Sequence, residues 1–150
     1  MYQPLQNLDS VICCNMVQIE QIYPSLTWRI RQETMYPDQS LDFVKLEDDF
    51  DGIHFGLYVN HHLTGVVSLF QNEHNYQFRK LAILPHQQGK GFGTALLNYI
   101  LNFCKIQNAT SIWCNARVNA KEFYAKFDFS EMNQTFTKNE IHYLIMELQF

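Results

Sequence analysis

With 150 residues, 47% of them hydrophobic, the chain has the size and apolar content of one domain with a single sizeable core. Its formal net charge of −4 gives it no basic face for broad nucleic-acid binding. Cys13, Cys14, Cys104 and Cys114 show no CxxC spacing, so neither a zinc site nor a redox motif is indicated, and no metal is expected. No run approaches the ~18 apolar residues of a membrane span, and no charged-then-apolar leader opens the chain, so a cytoplasmic protein with buried thiols is expected.

Residues 1–15 match no regular element and read as an extension of the single domain that fills 1–150. If Met16 is the natural start, deleting them leaves activity and melting temperature unchanged. Lipidation at Cys13-Cys14 is disfavoured, because the flanking signals are missing. The alternation of Met16 to Ile22 predicts a first strand. From Tyr23-Pro24-Ser25 the period turns helical, with Leu26, Ile30 and Thr34 on one face beside Trp28 and Arg31, and the helix should stop before Pro37. Residues 38–51 hold six acids against Lys45. They read as a solvated loop with a short helix near Leu41–Leu46, or as an acidic rim that attracts a cationic substrate.

Two strands follow, His54 to Val59 and Leu63 to Phe70, joined by a turn at Asn60-His61-His62. The paired histidines lack a third ligand and read as exposed turn residues. In the next strand, Tyr76 to Leu84, Tyr76 and Phe78 share one face while Leu81 and Ile83 fall on the other. Such a slip means either a β-bulge or a strand buried on both faces.

That strand ends at Pro85, and the loop His86-Gln87-Gln88-Gly89-Lys90-Gly91-Phe92-Gly93-Thr94 opens a helix with the stripe Phe92, Leu96, Ile100, Phe103, closed near Asn108. Three of the six glycines lie in this loop. Glycines ahead of a helix N-terminus, with its free N–H groups, make a diphosphate cradle. The Walker pattern fails, because Gly91 follows Gly89-Lys90 where Ser or Thr should follow Lys. The dinucleotide pattern fails at Thr94. Ser111 to Val118 alternates as a strand, which should lie parallel to Tyr76–Leu84 through a right-handed crossover. A short helix Ala120–Phe127 and two strands, Met132–Thr137 and Ile141–Leu148, complete the order β α β β β α β α β β. This order describes a mixed α/β (α+β) sheet.

Gln88-Gly89-Lys90-Gly91-Phe92-Gly93 fits (Q/R)xxGx(G/A), and Phe123-Tyr124-Ala125-Lys126-Phe127-Asp128-Phe129 looks like a helix ending FYxKxGF. With these motifs the chain resembles the GNAT superfamily of acetyl-CoA-dependent N-acetyltransferases, over residues 16–150. The resemblance implies an acyl-CoA N-acyltransferase fold whose central parallel strands splay, with acetyl-CoA as cosubstrate and a small-molecule or peptide amine as acceptor. Gly89 to Thr94, Phe92 included, would wrap the pyrophosphate, Gln88 belonging to the same motif, with Lys90 adding charge and Gly91 and Gly93 leaving room. Leu81, Ala82 and Ile83 would pair with the pantetheine arm, and an N–H near Ile83 would face the thioester oxygen. Tyr124 matches the family tyrosine that protonates the leaving thiolate, which a phenol of pKa about 10 can do.

Two positions depart from the family pattern. Arg117 stands where an asparagine often binds the pantetheine arm, leaving Asn119 or Asn115 for that contact, and Asp128 replaces the glycine after the helix. The Tyr76–Leu84 strand carries no acid, so no general base is assigned among Glu33, His54, Glu73, His74 and His142. Arg31, Glu33 and His142 come from segments that border the acceptor side in this family. The rival reading is an acyl-CoA-binding sensor that has lost its chemistry. A terminal edge strand allows a homodimer as well as a monomer.

Overall fold

The computed structural model describes residues 15–150, so Cys13, Cys14 and nearly all of the N-terminal extension lie outside the described residues. Seven strands form one sheet in the order β1-β2-β3-β4-β5-β7-β6. They are β1 (Val17–Ile22), β2 (Ile53–Val59), β3 (His62–Asn72), β4 (Asn75–Ile83), β5 (Ser111–Arg117), β6 (Ser130–Lys138) and β7 (Ile141–Gln149), with helices α1 (Ser25–Met35), α2 (Phe92–Ile106) and α3 (Lys121–Ala125). Every neighbouring pair is antiparallel except β4 and β5. This is the expected element order and the expected mixed sheet.

The turns follow side-chain chemistry. Asn60 and His61 both have positive φ, as do Asn139 and Glu140, matching the twist that two-residue hairpins require. Asp128, at φ 67°, holds the left-handed position where the family pattern has glycine. All of β6 is solvent-exposed, and it forms one edge of the sheet.

Two cores sandwich the sheet. On one face α2 buries Phe92, Leu96, Leu97, Ile100 and Cys104 against Phe55, Leu57, Leu69, Tyr76, Phe78 and Ile112. On the other, Ile30 of α1 packs on Val66, Ala82 and Leu84. The buried face of α1 is Thr27, Ile30 and Arg31, not one led by Leu26, which is 48% exposed. The helix turns its polar side inward because Arg31 has a partner there. Arg31 donates two parallel bonds to Asp49, at 2.9 and 2.8 Å, and others to Val44 O and Ser68 Oγ. Asp49 also accepts from Trp28 Nε1 and the Leu46 N–H. The acidic run divides: Asp49 is buried as bracing for α1, Asp48 pairs with Arg79 and Asp42 with Lys45 nearer the surface, and Asp38, Glu47 and Asp51 are exposed, as a solvated loop requires.

The slipped period of β4 is both things that it could be. Val66 pairs with Ala82 but Ser68 with Arg79, so Lys80 and Leu81 together oppose Val67 in a bulge, with Lys80 at φ 56°. Beyond the bulge the faces exchange. Leu81 and Ile83 reach the α2 core, while Ala82 and Leu84 fill the α1 core.

Candidate active site

The bulge opens the sheet. β4 and β5 pair only from Asn75–Ser111 to Gln77–Trp113, and the rest of each strand has no partner across the gap. Leu84 N–H donates to Thr64 O, so strand alternation turns the Ile83 N–H the other way, towards this gap. Ile83 O points there too, accepting from Gln88 Nε2 at 2.9 Å and Thr34 Oγ1 at 3.4 Å.

At the mouth of the gap the loop turns into α2. Gly89 and Gly91 have φ of 74° and 84°, with open space where a Cβ would stand. Both are required by backbone angle rather than by protein crowding. Gly93 has an ordinary φ, and a Cβ there would only touch Ile83 and Phe123 at 3.9 Å. Gly91 is the N-cap of α2 and no side chain caps it, so the first N–H groups of the helix present a positive dipole end to the loop. A cleft of about 500 Å³ runs from these groups along Leu81, Ala82 and Ile83 to Tyr124. Gln88 braces the loop against the strand end, and Phe92 anchors the helix in the core. Lys90 is exposed and bonds Gln87 Oε1 at 3.0 Å. Asn119 is exposed and outside this lining, whereas Asn115 lines the second cavity described next.

A second cavity of about 290 Å³ continues past the first, the two meeting at Thr34, Leu81, Gln88 and Tyr124. Tyr124 is set by its ring, which packs on Phe78, Phe123 and Phe129. Burial pushes its phenol well above the usual tyrosine range, the neighbouring Arg117 opposing only weakly. The hydroxyl therefore stays protonated at any ordinary pH. Burial also pushes the Cys114 thiol, on the wall of the second cavity, up to about 12, which denies it the thiolate of a nucleophile.

The residues expected at the acceptor side are not gathered there. Arg31 is fully buried in its pair with Asp49. Glu33 is exposed and pairs with Arg29 one turn back. His142 is exposed and bonds Thr137, on the opposite strand face from Tyr143, which does line the cavity. The other base candidates are also displaced. Glu73 and His74 form the turn at the far end of β4. His54 is buried, donating from Nε2 to Asp49 O and accepting at Nδ1 from Ser68. The second cavity instead brings together Arg79, Lys80, Arg117 and Tyr143. Sequence reading passed over Lys80 and took Arg117 only as a departure. The one available signal was the slipped period, which places Lys80 in the bulge.

Comparison with known proteins places this fold in a family. The sequence profile of the family described as Acetyltransferase (GNAT) domain matches residues 35–150. The uncharacterized N-acetyltransferase YitI of Bacillus subtilis is 25% identical over 130 residues, covering 81% of this chain and 87% of that one. The ribosomal-protein-S18-alanine N-acetyltransferase of Escherichia coli superposes with a TM-score of 0.73 at 19% identity, over 89% of this chain and 94% of that chain. A GNAT family acetyltransferase from Elizabethkingia anophelis with acetyl-CoA bound does so with a TM-score of 0.71 at 12% identity, over 89% and 98%. A splayed parallel pair, a left-handed glycine loop on an uncapped helix and a tyrosine between two cavities thus stand within a matched family domain, and the chain belongs to the GNAT acetyltransferases as an N-acetyltransferase.

Proposed function

We propose that the protein transfers an acetyl group from acetyl-CoA to a primary amine by direct attack, with both substrates bound at once. The observation that carries this reading is the pair of cavities that meet at Tyr124 inside the β4–β5 gap. Two binding sites with one proton donor between them are what a ternary-complex transfer needs. The residues present suit acetyl-CoA. The α2 N-terminus and the N–H groups around Gly89 and Gly91 would hold the pyrophosphate, and the open edge of Leu81 to Ile83 would pair with the pantetheine amides. When bound, acetyl-CoA supplies an activated acyl thioester.

The chain's own groups then divide the work. The Ile83 N–H faces the gap and would stabilise the thioester oxygen as charge grows on it. Tyr124 would give its proton to the sulfur as the N–C bond forms and the C–S bond breaks. The attacking nitrogen sheds one proton, which restores the phenol, and an acceptor that arrives as an ammonium loses its other proton to water in the open cleft. Gln88 and Thr34 hold the strand end in place through Ile83 O. The acceptor is a small molecule or a peptide amine, and neither nucleic acid nor a membrane has a part in this reading. Among the described residues no helix is long and apolar enough to cross a membrane.

Thermal unfolding with nucleotides tests the cofactor assignment. Acetyl-CoA at a hundredfold its dissociation constant should add about 2.7 kcal/mol, which is roughly 5–10 °C in Tm for a domain of this size. ATP and NAD should leave Tm within about a degree. An equal shift with ATP would make the loop a general phosphate site and remove the coenzyme assignment. Release of thiol over a panel of amines then separates an enzyme from a silent acyl-CoA sensor.

A further inference from the structure

The chain is acidic overall, yet the second cavity is walled by cations. Arg79, Lys80 and Arg117 line it, and among the described residues no aspartate or glutamate does. Arg79 is already engaged, bonding Asp48 at 3.1 Å and Gln77 at 3.0 Å and lying over the Phe70 ring. Lys80 and Arg117 have no carboxylate partner among the described residues. Lys80 reaches only Tyr36, at 3.3 Å from the hydroxyl and 4.9 Å from the ring centroid. The bulge places its backbone at φ 56°, a conformation disfavoured for lysine and maintained by the pairing of Arg79 and Ala82 with β3 before and after it.

The charged groups that act on Lys80 come from four elements and share one sign. Arg31 lies on α1, Arg79 on β4, Arg117 on β5 and Lys138 on β6, and the rings of Tyr36 and Tyr143 lie nearby. Burial first, and these four cations after it, push the Lys80 ammonium down to about 8. Asp49 and Asp48 pair with Arg31 and Arg79, but among the described residues no carboxylate pairs with Lys80 or Arg117. A simple ammonium acceptor would be repelled, whereas an acceptor with an anionic arm would supply the missing counter-charge.

We infer that the acceptor is an amine that also carries a carboxylate or a phosphate, bound by Lys80 and Arg117 while its amino group reaches Tyr124. This rests on the acetyl-transfer reading. It also bears on the missing base: a cationic wall lowers the pKa of an approaching ammonium, so more of it is neutral for attack without a neighbouring carboxylate.

The test is thiol release with matched acceptors: γ-aminobutyrate against its amide and butylamine, O-phosphoethanolamine against ethanolamine, and 1,4-diaminobutane as the cationic extreme. The anionic member should win by about tenfold or more in kcat/KM, as expected when charged hydrogen bonds are gained. Whether the carboxylate or the phosphate pair shows the larger ratio identifies the arm. In Lys80→Met and Arg117→Met the ratio should collapse through KM, with acetyl-CoA affinity retained. Equal or better turnover of 1,4-diaminobutane overturns the proposal. So does a fall in kcat for every amine alike in Lys80→Met with KM unchanged, since that describes a base. Failure of acetyl-CoA to bind would instead overturn the transfer reading. The anion site is then read separately, by whether inorganic phosphate or γ-hydroxybutyrate slows acetic-anhydride labelling of Lys80 relative to exposed Lys90. Equal rates at both lysines would refute it.

Discussion

Asp49→Asn is expected to lower the unfolding free energy by about 3–5 kcal/mol, the range found when one partner of a buried ion pair is removed. The loss exceeds that of a surface pair because nothing replaces the carboxylate. Arg31 is fully buried, and its Nε already lacks a partner among the described residues. Asparagine keeps one acceptor oxygen but no charge, which leaves a guanidinium in the core with Val44 O and Ser68 Oγ as its remaining acceptors. Removing both charges, Arg31→Met with Asp49→Leu, should cost much less than Asp49→Asn alone. Urea unfolding of the three chains decides it, and equal losses would mean that the pair is not the fastening between α1 and the sheet.

The same cluster sets the acid limit of the fold. Burial pushes Asp49 up, but the bonds from Arg31, Leu46 N–H and Trp28 outweigh it, and its carboxyl lies below the ordinary 3.8. Burial holds His54 below its ordinary 6.5, the nearby Asp49 opposing. Both groups bind protons more tightly when unfolded, so each stabilises the fold above its unfolded pKa and that contribution is lost as pH falls. Tm should be level between pH 6.5 and about 8, where Lys80 begins to titrate, decline below 6.5 as His54 is forced to charge, and decline again below 3.8. His54→Gln should remove the first decline and spare the second.

The fold was legible in the sequence wherever periodicity and turn chemistry agree. Asn60-His61 between two alternating runs, Pro85 ahead of the glycine loop and the stripe from Phe92 through Ile100 each place an element correctly. What was not legible depends on partners distant in sequence. Arg31 on a short helix reads as a contact on the acceptor side, and Asp49 within an acidic run reads as solvated. Only the fold sets them 2.8 Å apart, 18 residues along the chain. The site divides in the same way. The half proposed for the cofactor is local, a strand end and the loop that follows, and its residues stand together in one motif. The half proposed for the acceptor draws Lys80 from β4, Arg117 from β5 and Tyr143 from β7, which line one cavity beside a bulge whose positive φ at a lysine has no residue-type signal.

Tyr124→Phe is expected to lower kcat by about a hundredfold or more, the usual scale for losing a positioned general acid. Stability and acetyl-CoA affinity should stay near those of the unaltered protein. The substitution isolates one atom, because the ring contacts with Phe78, Phe123 and Phe129 are apolar and phenylalanine keeps them. Burial keeps the wild-type phenol protonated, so its loss should leave no alkaline limb in the pH profile below pH 10 that the variant lacks. The effect should fall on kcat rather than on KM, since the proton moves only as the C–S bond breaks. With the Cys114 thiol held up at about 12, a covalent acetyl-enzyme has no ready nucleophile there, and no burst of thiol should appear before the amine is added. An unchanged kcat in Tyr124→Phe would take the tyrosine out of the chemistry and leave protonation of the thiolate to water. A burst without acceptor would replace direct attack by a two-step transfer. The two outcomes are independent, and stopped-flow thiol detection on wild type and variant reads both.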